Sequence, residues 1–324
     1  MSPSLVGLRV LYLGTPDFAV KPLEALQAAG ATIVAVVSSP DQPAGRGLRM
    51  RTPPVAEAAL RLQLPLLQPK DLKAPAFLEQ VHQLAPDLGV VVAFRMLPRA
   101  LWSIPSLGTF NIHAALLPAY RGAAPINWAI IHGEATTGVT SFLLDDHMDT
   151  GHVLLQTETP LGSSTTAGQL HDTLASLGAQ LAVQTAYGLL HQALTPRPQP
   201  EVENPPLAPK FFRNDMRIHW TQPADQIHNL VRGLAPAPSA WTQLMVDGKQ
   251  LDNVKIHATR PLQVGISPTL APGECRFESV PPHLLVGCGQ GSLLELLALQ
   301  LPGKRAISAA EFQRGYGNRT LLFN

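Results

Sequence analysis

The sequence predicts an α/β fold: an N-terminal Rossmann-like, mostly parallel sheet with helices on both faces, then a smaller C-terminal β-barrel domain of OB-like type. Three observations predict it. Short apolar runs alternate with helical segments over the first 190 or so residues, as in a parallel sheet covered on both faces. A stretch with six prolines, Thr195–Pro209, can neither propagate a helix nor pair as a central strand and reads as a stiff linker. Beyond it, short strand-like pieces separated by glycine and proline suit a small barrel. With 324 residues, two domains are expected at roughly 150 residues each. The expected boundaries are 1–194 for the sheet domain, 195–209 for the linker and 210–324 for the barrel.

The elements follow in order. Leu8–Gly14 is an apolar strand that ends on glycine, and Pro22–Gly30 opens on proline and closes on glycine as helices do. Thr32–Ser39 is a second buried strand. Pro53–Gln63 and Phe77–Ala85 carry helical periodicity. Leu88–Phe94, Leu107–His113 and Gly138–Leu144 are the third to fifth strands, and Thr166–Leu194 is a long amphipathic helix. After the linker, Pro223–Gly233 is a short helix. Ala240–Gly248, Val254–Leu262, His283–Gly289 and Ser292–Gly303 are strand-like. Sheets of the first kind bind ligands at the carboxyl ends of their strands.

Composition narrows the function. Charged residues make up 15% and the net charge is +1, which excludes a polycation or an acidic tail protein. Residues 204–324 hold 12 Lys+Arg against 8 Asp+Glu, a net of +4, whereas residues 1–203 carry 12 against 15, a net of −3. A mildly basic C-terminal domain is open to nucleic acid, although a barrel proves nothing by itself. Two cysteines, Cys275 and Cys288, allow neither a disulfide framework nor a four-cysteine zinc site. Free thiols and the lack of an export signal or membrane span point to the cytoplasm.

The common nucleotide signatures are absent. The first strand runs into LGTPDFA, with one glycine where a dinucleotide fingerprint needs three. No phosphate-binding G-x-x-x-x-G-K-[ST] loop occurs, and Gly287–Gly291 reads as a turn between strands. No HExxH, CxxC or carboxylate-rich metal spacing occurs either, so no metal is expected.

The informative stretch is Phe110–Leu154. Asn111 and His113 sit two apart at the end of an apolar strand and therefore point to one face. Asp149 follows the next strand on a glycine-containing loop. An amide, an imidazole and a carboxylate at one sheet edge suit acyl transfer: donors for an oxyanion, and a carboxylate that helps move a proton off an attacking amine. No Ser or Cys nucleophile is needed if the acyl group passes directly to the amine. Spacing alone does not choose this over a structural His113, a turn-capping Asn111 and a turn-bracing Asp149.

The segments Leu11–Val20, Pro40–Val55, Gln68–Gln80, Phe110–Ile130, His147–Leu154, Thr166–Ala179, Ala208–Trp220, Val231–Thr242 and Leu299–Ser308 resemble, in the same order, the methionyl-tRNA formyltransferase family. The resemblance runs from about Leu8 to Leu321. The N-x-H…D set alone belongs to the wider group of formyltetrahydrofolate-dependent transferases; the PAGRG loop and the C-terminal domain point to the tRNA enzymes.

The resemblance implies transfer of a formyl group from 10-formyltetrahydrofolate to the α-amino group of methionine on the initiator tRNA. It implies that Asn111 and His113 polarise the formyl carbonyl and that Asp149 tunes His113. It further implies folate contacts from Ala115, Leu116, Leu117 and Pro118, and a pterin held by Arg95, Met96 and Leu97. Ala115 stands where the family has a serine, so that hydroxyl is missing here. Arg46, in a loop of glycines and arginines, would enter the tRNA acceptor end. Lys210, Lys304 and Arg305 would track its backbone. A monomer is expected, because one tRNA would cover much of the surface. The alternatives are a formyltransferase for a small amine, which would need neither the basic loop nor residues 209–324, and a non-catalytic tRNA-binding relative.

Overall fold

The computed structural model describes residues 3–44, 49–262, 270–279 and 282–324. The chain divides into two units. Met1–Pro125, Thr136–Thr159 and His171–Leu207 form the first, and Ile126–Ala135, Pro160–Leu170 and Ala208–Asn324 form the second.

In chain order the first part of the fold runs β1 (Arg9–Gly14), α1 (Val20–Ala28), β2 (Thr32–Val37), β3 (Gln42–Ala44), β4 (Arg49–Arg51), α2 (Pro54–Arg61), β5 (Leu66–Leu67), α3 (Pro75–Gln83), β6 (Leu88–Val92), α4 (Arg99–Trp102), β7 (Thr109–His113), β8 (Arg121–Gly122), α5 (Pro125–Ile131), β9 (Thr136–Leu143), β10 (Val153–Pro160), α6 (Ala167–Leu190) and β11 (Leu207–Ala208). Seven strands form one sheet in the order β10-β9-β7-β6-β1-β2-β5. β7, β6, β1, β2 and β5 pair in parallel, whereas β9 runs antiparallel to β7. The sheet is therefore mostly parallel, as the apolar strands predict. β10 extends it; its burial alternates because one side faces solvent, so it lacks a continuous apolar run.

Alternation along the strands supplies two cores. Leu11, Leu13, Ala35, Val37 and Val91 face one side and pack with Phe77 and Val81 of α3 and Leu101 of α4. On the opposite side α6 lies against the sheet. A side chain at Gly178 would meet Ile112 Cγ2 at 3.1 Å, and Thr185 Oγ1 donates to Ser141 Oγ at 2.8 Å. α2 and α3 each open on a proline, whose missing N–H costs nothing at a first turn. β3 and β4 pair antiparallel, Pro43 opposite Met50.

The proline-rich stretch lies along this first unit. Arg197 and Val153 exchange both backbone hydrogen bonds, at 2.7 and 2.9 Å, and Pro206 O accepts from Tyr120 N at 2.6 Å.

In the second unit the elements are α7 (Ala224–Gly233), β12 (Ala240–Val246), β13 (Lys249–Leu262), β14 (Cys275–Ser279), β15 (Pro282–Gly287), β16 (Leu293–Gln300), β17 (Ala306–Ser308), α8 (Ala309–Tyr316) and β18 (Leu321–Phe323). The antiparallel sheet runs β14-β15-β16-β13-β12-β18, with β17 on β16. Its two ends meet: Glu274 bridges Leu322, and Phe323 N donates to Gly273 O at 2.9 Å. This circuit is compatible with the OB-like barrel expected from the sequence. Its core gathers Trp220, Ile227, Val231, Leu244, Ile256, Leu296, Phe312 and Phe323. The Gly287–Gly291 stretch is the turn expected, with a 3₁₀ turn at Gly289–Gly291 between β15 and β16.

Candidate active site

The site builds outward from the end of β7. Val91 and Phe142 flank Asn111 on the neighbouring strands, and Thr140 lies opposite His113. Two residues apart on one strand, Asn111 and His113 share a face. His113 is buried, with 7% of its side chain exposed. Burial of an imidazole requires partners, and it has them. Nε2 donates to Tyr120 O at 2.8 Å, and Nδ1 faces Asp149 Oδ2 at 4.0 Å. A carbonyl only accepts, so in the neutral ring the proton sits on Nε2 and Nδ1 carries the lone pair.

Asp149 is held from the other side. Gly122 N donates to its Oδ2 at 3.0 Å, and its own carbonyl accepts from Gln199 Nε2 at 2.8 Å. Asp149 and Tyr120 both have positive φ, 56° and 60°. Aspartate tolerates that region; for tyrosine it is strained, the kind of strain that concentrates at functional sites. The loop bearing Asp149 is tied internally: Thr150 Oγ1 donates to Asp145 Oδ1 at 2.8 Å and His147 N to the same oxygen at 3.0 Å. Gly151 closes the loop, because a Cβ there would lie 1.7 Å from Leu143 O.

Asn111 Oδ1 is buried without a hydrogen-bond partner among the described residues. A buried amide left open costs free energy unless a ligand completes it. It stands two residues before His113 on the same face of the strand, so the open Oδ1 and the imidazole Nδ1 lie on one side of β7.

The segment after β7 is fixed by Thr140 and Gln156. Thr140 Oγ1 donates to Ala115 O at 2.6 Å and accepts from Leu117 N at 3.1 Å. Gln156 Nε2 donates to Leu117 O at 3.0 Å. Ala115 and Leu117 are buried, Leu116 and Pro118 are half-buried, and the Leu117–Pro118 peptide is cis. Backbone groups of Ala115 and Leu117 are thus already engaged within the fold. Thr140 thus supplies a hydroxyl at this corner.

Arg95, Met96 and Leu97 follow β6. The Arg95 guanidinium is spent on backbone carbonyls, Nη2 on Pro69 O at 2.6 Å and Nη1 on Lys70 O at 3.1 Å. Met96 is 64% exposed. The backbone N–H and C=O groups of residues 95–97 take part in no backbone hydrogen bond among the described residues.

Arg46 lies outside the described residues, between β3 and β4. In the second unit Lys210 and Lys304 are exposed. Arg305 is exposed too, but its Nη2 pairs with Glu311 at 2.5 Å. The Arg305 hydrogen bond, followed by the Ser308 backbone N–H, pulls the Glu311 carboxyl down to about 2, and the same pair raises Arg305 above its ordinary value. Among the described residues no group of three His, Cys, Asp or Glu could hold a metal ion, and no helix is long and apolar enough to cross a membrane.

The structure thus brings His113 and Asp149 together, on supports absent from the motif: Tyr120 O, Gly122 N and the Gln199 amide. The tyrosine and glycine lie within the informative stretch. Gln199 comes from the proline-rich segment, where no periodicity marks it.

A formyl transferase family profile matches residues 8–186, and the profile of the formyl transferase C-terminal domain matches residues 210–317. A methionyl-tRNA formyltransferase of Bacteroides fragilis is 42% identical over 313 residues, 95% of each chain. One of Pelobacter propionicus is 45% identical over 307 residues, 94% of this chain and 92% of that one. Among solved structures, an N-formyltransferase of Helicobacter canadensis in complex with folinic acid and dTDP-3-aminofucose superposes with a TM-score of 0.65 at 16% identity, covering 89% of this chain and 98% of that chain. HypX of Aquifex aeolicus in complex with tetrahydrofolic acid gives 0.61 at 18% identity, covering 96% of this chain and 48% of that one.

Proposed function

The chain belongs to the methionyl-tRNA formyltransferase family, and from that premise we infer how its residues carry the reaction. The reaction moves a formyl group from 10-formyltetrahydrofolate to the α-amino group of methionine on initiator tRNA. The amine nitrogen bonds to the formyl carbon, a tetrahedral oxyanion forms, and the bond to folate N10 breaks. One proton leaves the amine and one reaches N10.

In this reading the Asn111 side-chain Nδ2 donates to the formyl oxygen, where negative charge develops, and the open Oδ1 accepts from the attacking amine. The His113 Nδ1 lone pair receives the amine proton. The resulting imidazolium has donors on both nitrogens, one on Tyr120 O and one toward Asp149 and the oxyanion. Asp149 stabilises that cation across 4.0 Å, a gap that a bridging water or slight closure spans. Backbone groups of Arg95–Leu97 hold the pterin, and Ala115–Pro118 form its apolar flank. Arg46, Lys210, Lys304 and Arg305 guide the RNA, in a cytoplasmic monomer whose residues 1–194 do the chemistry and whose residues 210–324 bind tRNA across the 195–209 connection.

The observation that carries the reading is the His113–Asp149 pair, oriented from both sides on the strand that holds the unpartnered Asn111 Oδ1. The test is incubation with 10-formyltetrahydrofolate and charged initiator tRNA, with formylmethionine as product. Its formation by the wild-type protein and its loss in Asp149→Ala support the reading. Formyl transfer only to small amines would overturn it.

A further inference from the structure

We infer that Gln199 is a positioning residue for formyl transfer, and that the proline-rich segment around it is a clasp that sets the distance between His113 and Asp149. The inference rests on the site reading above and deepens it.

The segment takes hold of both sides of the site. On one side Pro206 O accepts from Tyr120 N at 2.6 Å, and Tyr120 O is the acceptor that fixes His113. On the other side Gln199 Nε2 donates to Asp149 O at 2.8 Å and to Gly151 O at 3.0 Å. The two carbonyls flank Thr150, so one amide group clamps the turn that presents the carboxylate. Gln199 Oε1 is in turn held by Arg121, through Nη2 at 2.5 Å and Nε at 3.2 Å. Arg121 lies between Tyr120 and Gly122, the two residues whose backbones orient His113 and Asp149. Gln199 thus ties the two halves of the site to each other.

The chemistry of the amide fits the task. Its nitrogen has two protons for two carbonyls, and its oxygen has two lone pairs for the two guanidinium nitrogens. A carboxylate would satisfy Arg121 but would set oxygen against oxygen at Asp149 and Gly151. An apolar isostere would satisfy neither. Asp149 sits at φ 56°, a conformation the rest of the structure must hold in place. The clamp falls on that residue's own carbonyl, and the segment is anchored two residues before Gln199 by the Arg197–Val153 backbone pair.

The test compares Gln199→Met and Gln199→Glu with the wild type in the full chain, using 10-formyltetrahydrofolate and charged initiator tRNA. Both variants are expected to lower kcat by about 10–100-fold, the cost of a misplaced reacting group. KM for either substrate should stay within about twofold and the melting temperature within about 3 °C. Placing Gln199→Met in an Asp149→Asn background should cost less than about twofold, since residues that act through one another are non-additive. Gln199→Glu keeps the Arg121 anchor and covers the case in which Gln199→Met unfolds.

Unchanged kcat in both variants, or the same fold-loss with and without the Asp149 carboxylate, would overturn the inference while leaving the site reading intact. Full activity in Asp149→Asn would overturn both.

Discussion

Tyr120 O accepts the Nε2 proton of His113 at 2.8 Å, and that one bond leaves Nδ1 as the nitrogen that faces Asp149 Oδ2. The sequence alone suggests His113 as an oxyanion donor beside Asn111. In the structure its Nε2–H is already committed, so the neutral ring presents a lone pair at Nδ1. In the function proposed above, His113 therefore takes a proton before it acts as a donor.

Replacing Asp149 with alanine removes the carboxylate opposite Nδ1. Formyl transfer should fall by about 10²–10⁴-fold, the range of a lost proton-transfer partner. The Kd for charged tRNA should change little, because the proposed role of the carboxylate is confined to the reacting end. Rapid-quench formylation and filter binding on the same preparation check both halves.

At Gly151 a methyl group has no room: its Cβ would sit 1.7 Å from Leu143 O. Gly151→Ala should cost about 1–3 kcal/mol by overpacking and displace the loop that carries Asp149. A lowered melting temperature together with reduced kcat is expected. Wild-type values for both would mean the loop can relax around the methyl.

Burial raises both thiols, Cys275 and Cys288, to about 12. A raised value keeps the group protonated, and the thiolate is the reactive form. In the folded protein at pH 8 both should therefore react with Ellman's reagent far more slowly than in denaturant. Prompt titration of two thiols before unfolding would contradict this.

Salt dependence should separate the two neighbouring cations. Lys304→Ala is expected to reduce the log–log salt slope of tRNA binding by about 1. Arg305→Ala should change it less, since Glu311 already neutralises part of its charge. Arg46→Ala is expected to weaken the reaction with tRNA more than the binding of folate; equal losses in both would contradict its assignment.

Much of the first unit was legible because its strands are buried on both faces and read as unbroken apolar runs. Asn111 and His113 were legible for the same reason, two polar residues closing such a run. The direction of β9 was not, since burial says nothing about polarity. β10 offers no unbroken apolar run, since its residues VLLQTETP turn polar after the first three. α8 was also missed, although its start is written as a capping box, Ser308 to Glu311. Gln199 was beyond reach: its partners at Asp149 and Gly151 lie 50 and 48 residues away, and nothing local to Pro198-Gln-Pro200 signals a long-range amide clamp.

Connections between elements ordinarily tolerate insertions and deletions. The 195–207 stretch is unlike them. Rings at Pro198 and Pro200 fix the backbone torsions on either side of Gln199, so the chain there works as a ruler rather than a tether. Removing a single residue between the Arg197–Val153 pairing and Gln199 would shift the amide by about 3.3–3.6 Å, more than the length of either hydrogen bond it makes there. If the clasp inferred above sets the site, the length of this stretch matters to formyl transfer as much as the identity of the side chains proposed to react.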